Sequence, residues 1–265
     1  MDQPKNTGKA ADYEHNNAAF GGYWSGPARI SRRLAYPAVT KIRRFRRMLA
    51  KSGLDRRAGL AVFDQGFGAG DMLFSFPKSS SIAGVELAQV DVETATLEAA
   101  KLGYARVDLR RFVPGQPVAP EWRGQFDVLI SSHVLEHIQE PMPVLRELTG
   151  LLKPGGVACI IVPINEKVGE DANHFHWFTE QSFRGMLEGS GLIVQEMHSV
   201  DRLWRLLCPV FYRRQRHPRS IWRVLAILQN LLACPLPAGA LAAIDRVLAW
   251  FGVQPRQCFA WCRRA

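Results

Sequence analysis

The hydrophobic pattern of the chain changes period near residue 60. Before that point Ala38, Ile42, Phe45 and Leu49 recur every three or four positions, with Arg43, Arg44, Arg46, Arg47 and Lys51 on the other faces. This spacing predicts a helix over residues 28–52, with Pro37 marking its start or a break. From Leu60 onward, short apolar runs alternate with helical stretches. Strands are predicted at Leu60–Asp64, Ser81–Leu87, Tyr104–Val107, Phe126–Ser131, Val157–Val162 and Leu192–Met197. Helices are predicted after the glycine-rich turn 66–70, over 89–102, over Met142–Leu152, and from an N-cap at Thr179 to about Gly189. Strands spaced by helices mean βαβ units and right-handed crossovers. Residues 200–255 interrupt this rhythm with two apolar helical segments, about 220–233 and 238–251, and Cys258–Cys262 reads as a final strand. The expected fold is therefore α/β: a doubly wound, mostly parallel seven-stranded sheet with its last strand antiparallel. The expected units are a basic arm and helix over 1–58, a sheet domain over 59–199 plus 256–265, and a helical insert over 200–255 that overhangs the site as a lid.

Composition narrows the class. The 265 residues are 47% apolar and 22% charged, the profile of a globular protein able to bury a core without disulfides. The five cysteines are scattered and form no C-x-x-C; a reduced compartment is expected and a metal site is not. No apolar run follows Met1–Lys5, so the cytoplasm is the expected location.

Charge divides the chain in three. The net charge of +10 splits into +9 over 1–59, −8 over 60–199 and +9 over 200–265. Such flanks suit an anionic partner, whether nucleic acid, anionic lipid or a phosphorylated substrate, and are equally a solvated arginine-rich surface. The uncharged run Val224–Ile244 is long enough to span a bilayer, but Pro235, Pro237 and Gly239 break it. A hairpin is expected instead, packed on the sheet domain or lying in a membrane interface.

The candidate chemistry begins at Asp64-Gln65-Gly66-Phe67-Gly68-Ala69-Gly70, between an apolar strand and a helical stretch. Glycines there allow a tight turn and close approach of backbone to a ligand. The dinucleotide fingerprint G-x-G-x-x-G is not met: Asp71 stands at its third glycine and would repel a pyrophosphate. The turn thus points to a nucleoside-type ligand without phosphates. Glu86 ends the second strand, where an acidic side chain in a doubly wound sheet accepts hydrogen bonds from ribose hydroxyls.

These segments, with Gly84-Val85-Glu86-Leu87, the stretch Phe126-Asp127-Val128-Leu129-Ile130-Ser131-Ser132-His133-Val134-Leu135-Glu136-His137, and Leu152-Lys153-Pro154-Gly155-Gly156, stand in the order found in a known family. From about Gly59 to Val200 the sequence resembles the class I S-adenosylmethionine-dependent methyltransferases of the type 11/type 23 domain group. His174-Phe175-His176-Trp177-Phe178-Thr179 also resembles what such proteins carry after the fifth strand. The resemblance implies that S-adenosylmethionine is the cofactor. It implies that Gly66, Phe67 and Gly68 approach its methionine part and ribose, that Asp64 places its amino group, and that Glu86 holds the ribose hydroxyls with Leu87 against the adenine. It further implies that Asp108 meets the adenine amino group with Leu109 beside it, and that Ser131 and His133 line the sulfonium end. Gln65 departs from the family, which has an apolar residue there.

Methyl transfer requires the acceptor atom in line with the sulfur–methyl bond, and a base where an acceptor proton must leave. His174 and His176 bracket Phe175 and are the first candidates for that base. His137, sharing a helical face with His133, is the next. Tyr23 and Trp24 could fold over the same opening. The expected reaction is methyl transfer, at oxygen, to a small-molecule or lipid-linked acceptor, with peripheral contact to the inner face of an anionic membrane. Three alternatives stay open: a nucleic-acid methyltransferase, for which no aromatic-rich single-strand platform is visible, a nicotinamide-dependent oxidoreductase, and a non-catalytic binding protein of the same fold.

Overall fold

The computed structural model describes residues 34–112, 118–168, 170–171, 173–208 and 235–265, with residues 221, 224, 225, 227 and 228. The arm with Tyr23 and Trp24, residues 28–33 of the expected first helix, most of the expected helix 220–233 and the arginines 213–223 lie outside the described residues.

Seven strands form one sheet: β1 (Ala61–Gln65), β2 (Ser81–Glu86), β3 (Arg106–Arg111), β4 (Phe126–Ser132), β5 (Leu152–Pro163), β6 (Leu192–Val200) and β7 (Gln257–Arg264). Their order is β3-β2-β1-β4-β5-β7-β6. β1 to β5 pair in parallel, and β7 runs antiparallel to both β5 and β6. This is the expected doubly wound sheet. Helix α1 (Tyr36–Ser52) and α2 (Gln89–Leu102) cover one face; α3 (Pro141–Leu151) and α4 (Glu180–Gly189) cover the other; α5 (Ala238–Trp250) belongs to the insert.

Strand alternation builds the two cores. Val62, Val128, Ile130 and Ile161 pack with Phe45 and Leu49 of α1 and with Ala95 and Ala99 of α2. Their neighbours Phe63, Leu129 and Ile160 pack with Leu145 and Leu148 of α3 and with Phe183 and Leu187 of α4. Pro37 sits in the first turn of α1, so it starts the helix. Gly53, at φ 74°, closes it in the left-handed conformation. Thr179 caps α4 through a reciprocal pair with Ser182.

Two elements differ from expectation. The helix expected after the glycine turn is only a short 3₁₀ turn, Leu73–Ser75. Phe76 is held extended by Pro77 behind it, at ψ 160°, which stops any longer helix. The third strand, expected at 104–107, runs over Arg106–Arg111. Tyr104 instead sends its hydroxyl to the Phe76 carbonyl, at 2.7 Å. As an edge strand β3 is charged and partly exposed, so it lacks the apolar run that marks an inner strand.

The described part of the insert packs on α1. Tyr36 stacks on Trp204, with ring centroids 5.7 Å apart, and Arg43 donates to the Leu236 carbonyl at 2.7 Å. Arg44 bridges the buried Asp201 at 3.0 Å and Asp245 of α5 at 2.6 Å. The neighbouring face of α1, with Ala38, Lys41 and Ile42, borders the cavity described next. The insert thus braces a cavity wall from behind.

Candidate active site

The chain reverses direction across the sheet between β1 and β4, and in open α/β sheets ligands bind outside the strand ends at such a switch. A cavity of about 370 Å³ lies there, within the size range of small-molecule sites. Three strand ends feed it: the turn after β1, Glu86 and Leu87 after β2, and Ser132, His133 and Val134 after β4.

The turn needs its glycines. Gly66 has φ 69° and Gly68 φ 51°, the left-handed region that other residues rarely enter. A Cβ on Gly66 would also stand 2.5 Å from Val134 Cγ2. The Gly68 amide donates to Glu86 Oε2 at 2.8 Å, and the Leu87 amide donates to Oε1 at 2.7 Å. The carboxylate is thereby clamped by two backbone groups.

Electrostatics sets the ligand type. Asp64, Asp71, Glu86 and Asp91 all border the cavity, opposed by Lys41. Burial pushes the Asp64 carboxyl well above its usual range, against the pull of Lys41, and Glu86 raises it further. Burial likewise raises Glu86 against the backbone amides of Gly68, Leu87 and Ala88, and lowers Lys41 against Asp64, Glu136 and Asp71. Two buried cavity-wall atoms, Asp64 Oδ1 and Ser132 Oγ, have no hydrogen-bond partner among the described residues. Leaving such groups unpaired is costly, and a ligand with an amine and hydroxyls relieves that cost. The site therefore fits S-adenosylmethionine, a cation with a methionine end and a ribose.

Asp64, Gly66, Phe67, Gly68, Glu86, Leu87, His133 and His137 line the cavity. Asp108 and Leu109 do not. Asp108 lies inside β3, paired with Ala83. Its carboxylate is held by Arg110 at 2.7 Å and by Trp122 Nε1 at 3.2 Å. Because β3 runs later than expected, its carboxyl end brings Phe112 to the cavity instead. Ser131 points the other way along the strand alternation and donates to Gln65 Oε1 at 2.9 Å, so Ser132 takes the wall position. The same bond gives Gln65 its buried partner.

The histidines separate. His133, at φ 57°, has Nδ1 3.1 Å from Glu136 Oε1 and Nε2 3.2 Å from Gln257 Oε1. Both of its ring nitrogens are thus engaged. Gln257 in turn donates to Asp201, which ties the cavity wall to the Arg44 node. His137 lies on a 3₁₀ turn, Leu135–His137, rather than an α-helix, and its Nδ1 donates to the Asn173 carbonyl at 3.0 Å. His174 and His176 do not line the cavity and do not share a side, because the segment is a loop rather than a strand. His174 is bonded to Glu166 at 2.7 Å behind His137. His176 reaches outward to the Gln139 carbonyl at 3.0 Å and stacks on Phe178.

Lys41, Ser132 and Phe112 line the cavity without a distinguishing pattern in the sequence. Lys41 sits in an arginine-rich helix with no local mark. Ser132 stands one alternation step beyond Ser131, and Phe112 follows the end of β3 at Arg111.

Fold and cavity together define a doubly wound α/β protein with a ligand site at its switch point. Residues 63–160 match the model of a methyltransferase domain. A ubiquinone biosynthesis O-methyltransferase of Pseudomonas paraeruginosa is 36% identical over 107 residues, 39% of this chain and 45% of that one. One from Bordetella pertussis is 35% identical over 100 residues, 37% of this chain and 41% of that one. The matched stretch thus spans less than half the length of these relatives. Among solved structures, the [4+2]-cyclase SpnF aligns at TM-score 0.59 and 20% identity, over 84% of this chain and 80% of that one. A putative sarcosine dimethylglycine methyltransferase from Galdieria sulphuraria aligns at 0.58 and 14% identity, over 86% of each chain. These two share the fold.

Proposed function

We propose that the protein transfers a methyl group from S-adenosylmethionine to a hydroxyl of a small-molecule or lipid-linked acceptor. The observation that carries this reading is the switch-point cavity, where the unpartnered Asp64 Oδ1, the clamped Glu86 and the glycine turn converge. The names of the partial relatives support oxygen as the methylated atom. The cofactor supplies the electrophilic methyl group on a sulfonium. Asp64 holds its amino group, Lys41 its carboxylate, and Glu86 its ribose hydroxyls. The acidic wall favours a cation over a dinucleotide, and α1 with Val134 excludes water. The polar end formed by Ser132, His133 and His137 receives the acceptor hydroxyl. Calorimetry with S-adenosylmethionine, NAD and a short RNA tests the reading: only the first should bind. Binding of NAD or RNA in its place would replace the methyltransferase reading with the corresponding rival.

The insert supports a membrane-facing role as well. On α5 and just beyond it, Val247, Trp250 and Phe251 are 54%, 83% and 68% exposed, and Ile221, Val224 and Leu225 are exposed too. The surrounding residues 200–265 carry a net +9. Apolar side chains amid positive charge suit the surface of an anionic bilayer. Among the described residues no helix is long and apolar enough to cross a membrane. Co-sedimentation should be strong with anionic vesicles, weak with neutral ones and weakened by salt. Equal, negligible binding to both would remove the membrane and leave a soluble acceptor.

A further inference from the structure

A chain of polar side chains leads from the insert to the cavity wall. It starts on α5, where the Asp245 carboxylate accepts from the backbone amides of Asp201 at 3.2 Å and Arg202 at 2.9 Å. Arg44 of α1 donates to Asp245 Oδ2 at 2.6 Å and to Asp201 Oδ1 at 3.0 Å. The other oxygen of Asp201 accepts from the Gln257 side-chain amide. Gln257 Oε1 lies 3.2 Å from His133 Nε2, and Glu136 Oε1 lies 3.1 Å from His133 Nδ1. Asp201, Glu136 and Gln257 are buried; of these residues only His133 lines the cavity. Each link takes its polarity from the next. Burial raises the Asp201 carboxyl against the pull of Arg44 and Gln257, and beside that guanidinium it is the accepting partner. The amide nitrogen of Gln257 therefore faces Asp201, its oxygen faces His133, and His133 donates from Nε2. Burial opposes charge on Glu136, yet the hydrogen bond from His133 helps to hold its carboxyl below the usual range, so it too accepts. Asp201 at φ 63° and His133 at φ 57° both stand in the left-handed region. Such positions persist where the surrounding contacts over-determine them, and they concentrate at functional sites.

We propose that Gln257 is a positioning residue of the methyl-transfer site: anchored on Asp201, it fixes the His133 ring at the acceptor end of the cavity with both N–H groups committed. The role rests on the methyl-transfer reading. A ring tied at both nitrogens neither flips nor swings into the cavity. It carries a proton on each nitrogen, and Glu136 balances its charge, so the pair does not repel a cationic cofactor. As the acceptor oxygen loses its proton, negative charge develops beside this oriented pair. A dipole already fixed in a closed site favours that charge without having to reorient. Gln257 begins β7 and Asp201 follows β6, so a merely structural role would tie two strand ends together and leave the ring indifferent to both residues. Through Arg44 and Asp245 the same anchor includes the insert, which holds the insert and the ring as one unit.

The test is NMR of the imidazole nitrogens in full-length protein labelled with ¹⁵N-histidine. His133 is assigned by its loss in His133→Asn, a residue that tolerates positive φ. The wild type should show one sharp His133 ring, protonated on both nitrogens, slow to exchange with water and shifted by added S-adenosylmethionine. Asp201→Asn keeps size and positive φ but lets the Gln257 amide turn over. It should speed exchange of the Nε2 proton by about 10-fold, the weight of one hydrogen bond, and Gln257→Leu should do the same. Gln257→Glu sets two buried carboxylates against each other. Combining it with Asp201→Asn should restore slow exchange, because donor and acceptor have then traded places. Cofactor affinity, measured by calorimetry on the same samples, should stay within about twofold in every folded variant, since the glycine-turn end shares no partner with this chain of bonds. Asp201→Asn keeps the answer available should the Gln257 variants fail to fold. A His133 ring that exchanges freely in folded wild-type protein, or is unchanged in folded Asp201→Asn, overturns the proposal. Cofactor binding with a freely exchanging ring would keep the methyltransferase reading and remove the positioning role; a locked ring, loosened by Asp201→Asn, in a protein that binds no cofactor would do the reverse.

Discussion

The two ends of the cavity are built in different ways. The cofactor end comes from one local unit, the glycine turn and the next strand end, with Asp64, Gly66, Gly68 and Glu86 clamped within 23 residues. The opposite end presents His133 and His137 after β4, held from behind by Glu136, by the loop after β5 with Asn173 and His174, and by Gln257 of the antiparallel β7. The first depends on backbone conformation, because a particular turn brings amides and one carboxylate together. The second depends on long-range packing, because side chains 37 positions apart in sequence must meet. A fold can therefore keep its cofactor end while the other end is redrawn, and shared fold alone does not fix the reaction. The [4+2]-cyclase of the same fold illustrates the point.

Substitutions at the two ends should separate binding from chemistry. The largest effect is expected at His137. His137→Ala should lower turnover by about 10²–10⁴-fold, the weight of a group that manages an acceptor proton, with S-adenosylmethionine affinity little changed. Steady-state kinetics beside calorimetry measures both, and an equal loss in affinity would merge the two ends into one.

Asp64→Asn should act in the opposite sense. Losing a charge-assisted bond to the cofactor's amino group costs about 1.5–3 kcal/mol, about 10–150-fold in affinity. The same substitution should raise the melting temperature of the cofactor-free protein. Burial raises the folded-state pKa of Asp64 above its unfolded value, so between the two the folded state binds more protons, and stability falls as pH rises through that window. A neutral amide removes that loss. Thermal melts across the acid-to-neutral range should show the variant pulling ahead as pH rises. A uniformly less stable variant would mean that the Asp64 charge supports the fold.

Proton release sharpens the contrast further. A cationic ligand favours the ionised carboxylate, so cofactor binding should expel a proton from Asp64 and tighten as pH rises through the raised pKa. Calorimetry in buffers of different ionisation enthalpy reads this directly. Binding heats independent of the buffer would place the cation elsewhere. The smallest effect is expected at Asp108. It is tied up with Arg110 and Trp122 on an edge strand, so Asp108→Asn should change cofactor affinity by less than about twofold, within the range of ordinary surface substitutions.

The same division governs what the sequence made legible. The inner strands β1, β2, β4 and β5 announce themselves as apolar runs, and the glycine turn with Glu86 follows from chain-local rules, so the fold and cofactor end are readable in one dimension. The edge strand β3 is not, because Arg106, Asp108, Arg110 and Arg111 hide its period, and its course over Arg106–Arg111 puts Asp108 and Leu109 within the strand rather than past its end. Ser131 and Ser132 differ by one step of alternation, which reverses the side each faces. Lys41 looks like one more cation in a basic helix until packing turns it inward. The pairing of His137 with His174, and the outward turn of His176, depend on a loop path that no periodicity encodes.

The central claim is that the cavity beside the glycine turn holds S-adenosylmethionine through Glu86. Calorimetric titration of the cofactor into folded wild-type protein and Glu86→Ala tests it most directly. The account predicts a loss of about 10–150-fold in affinity, the equivalent of about 1.5–3 kcal/mol for the ribose hydrogen bonds, with the fold intact by circular dichroism. Unchanged affinity in a folded Glu86→Ala protein would contradict it.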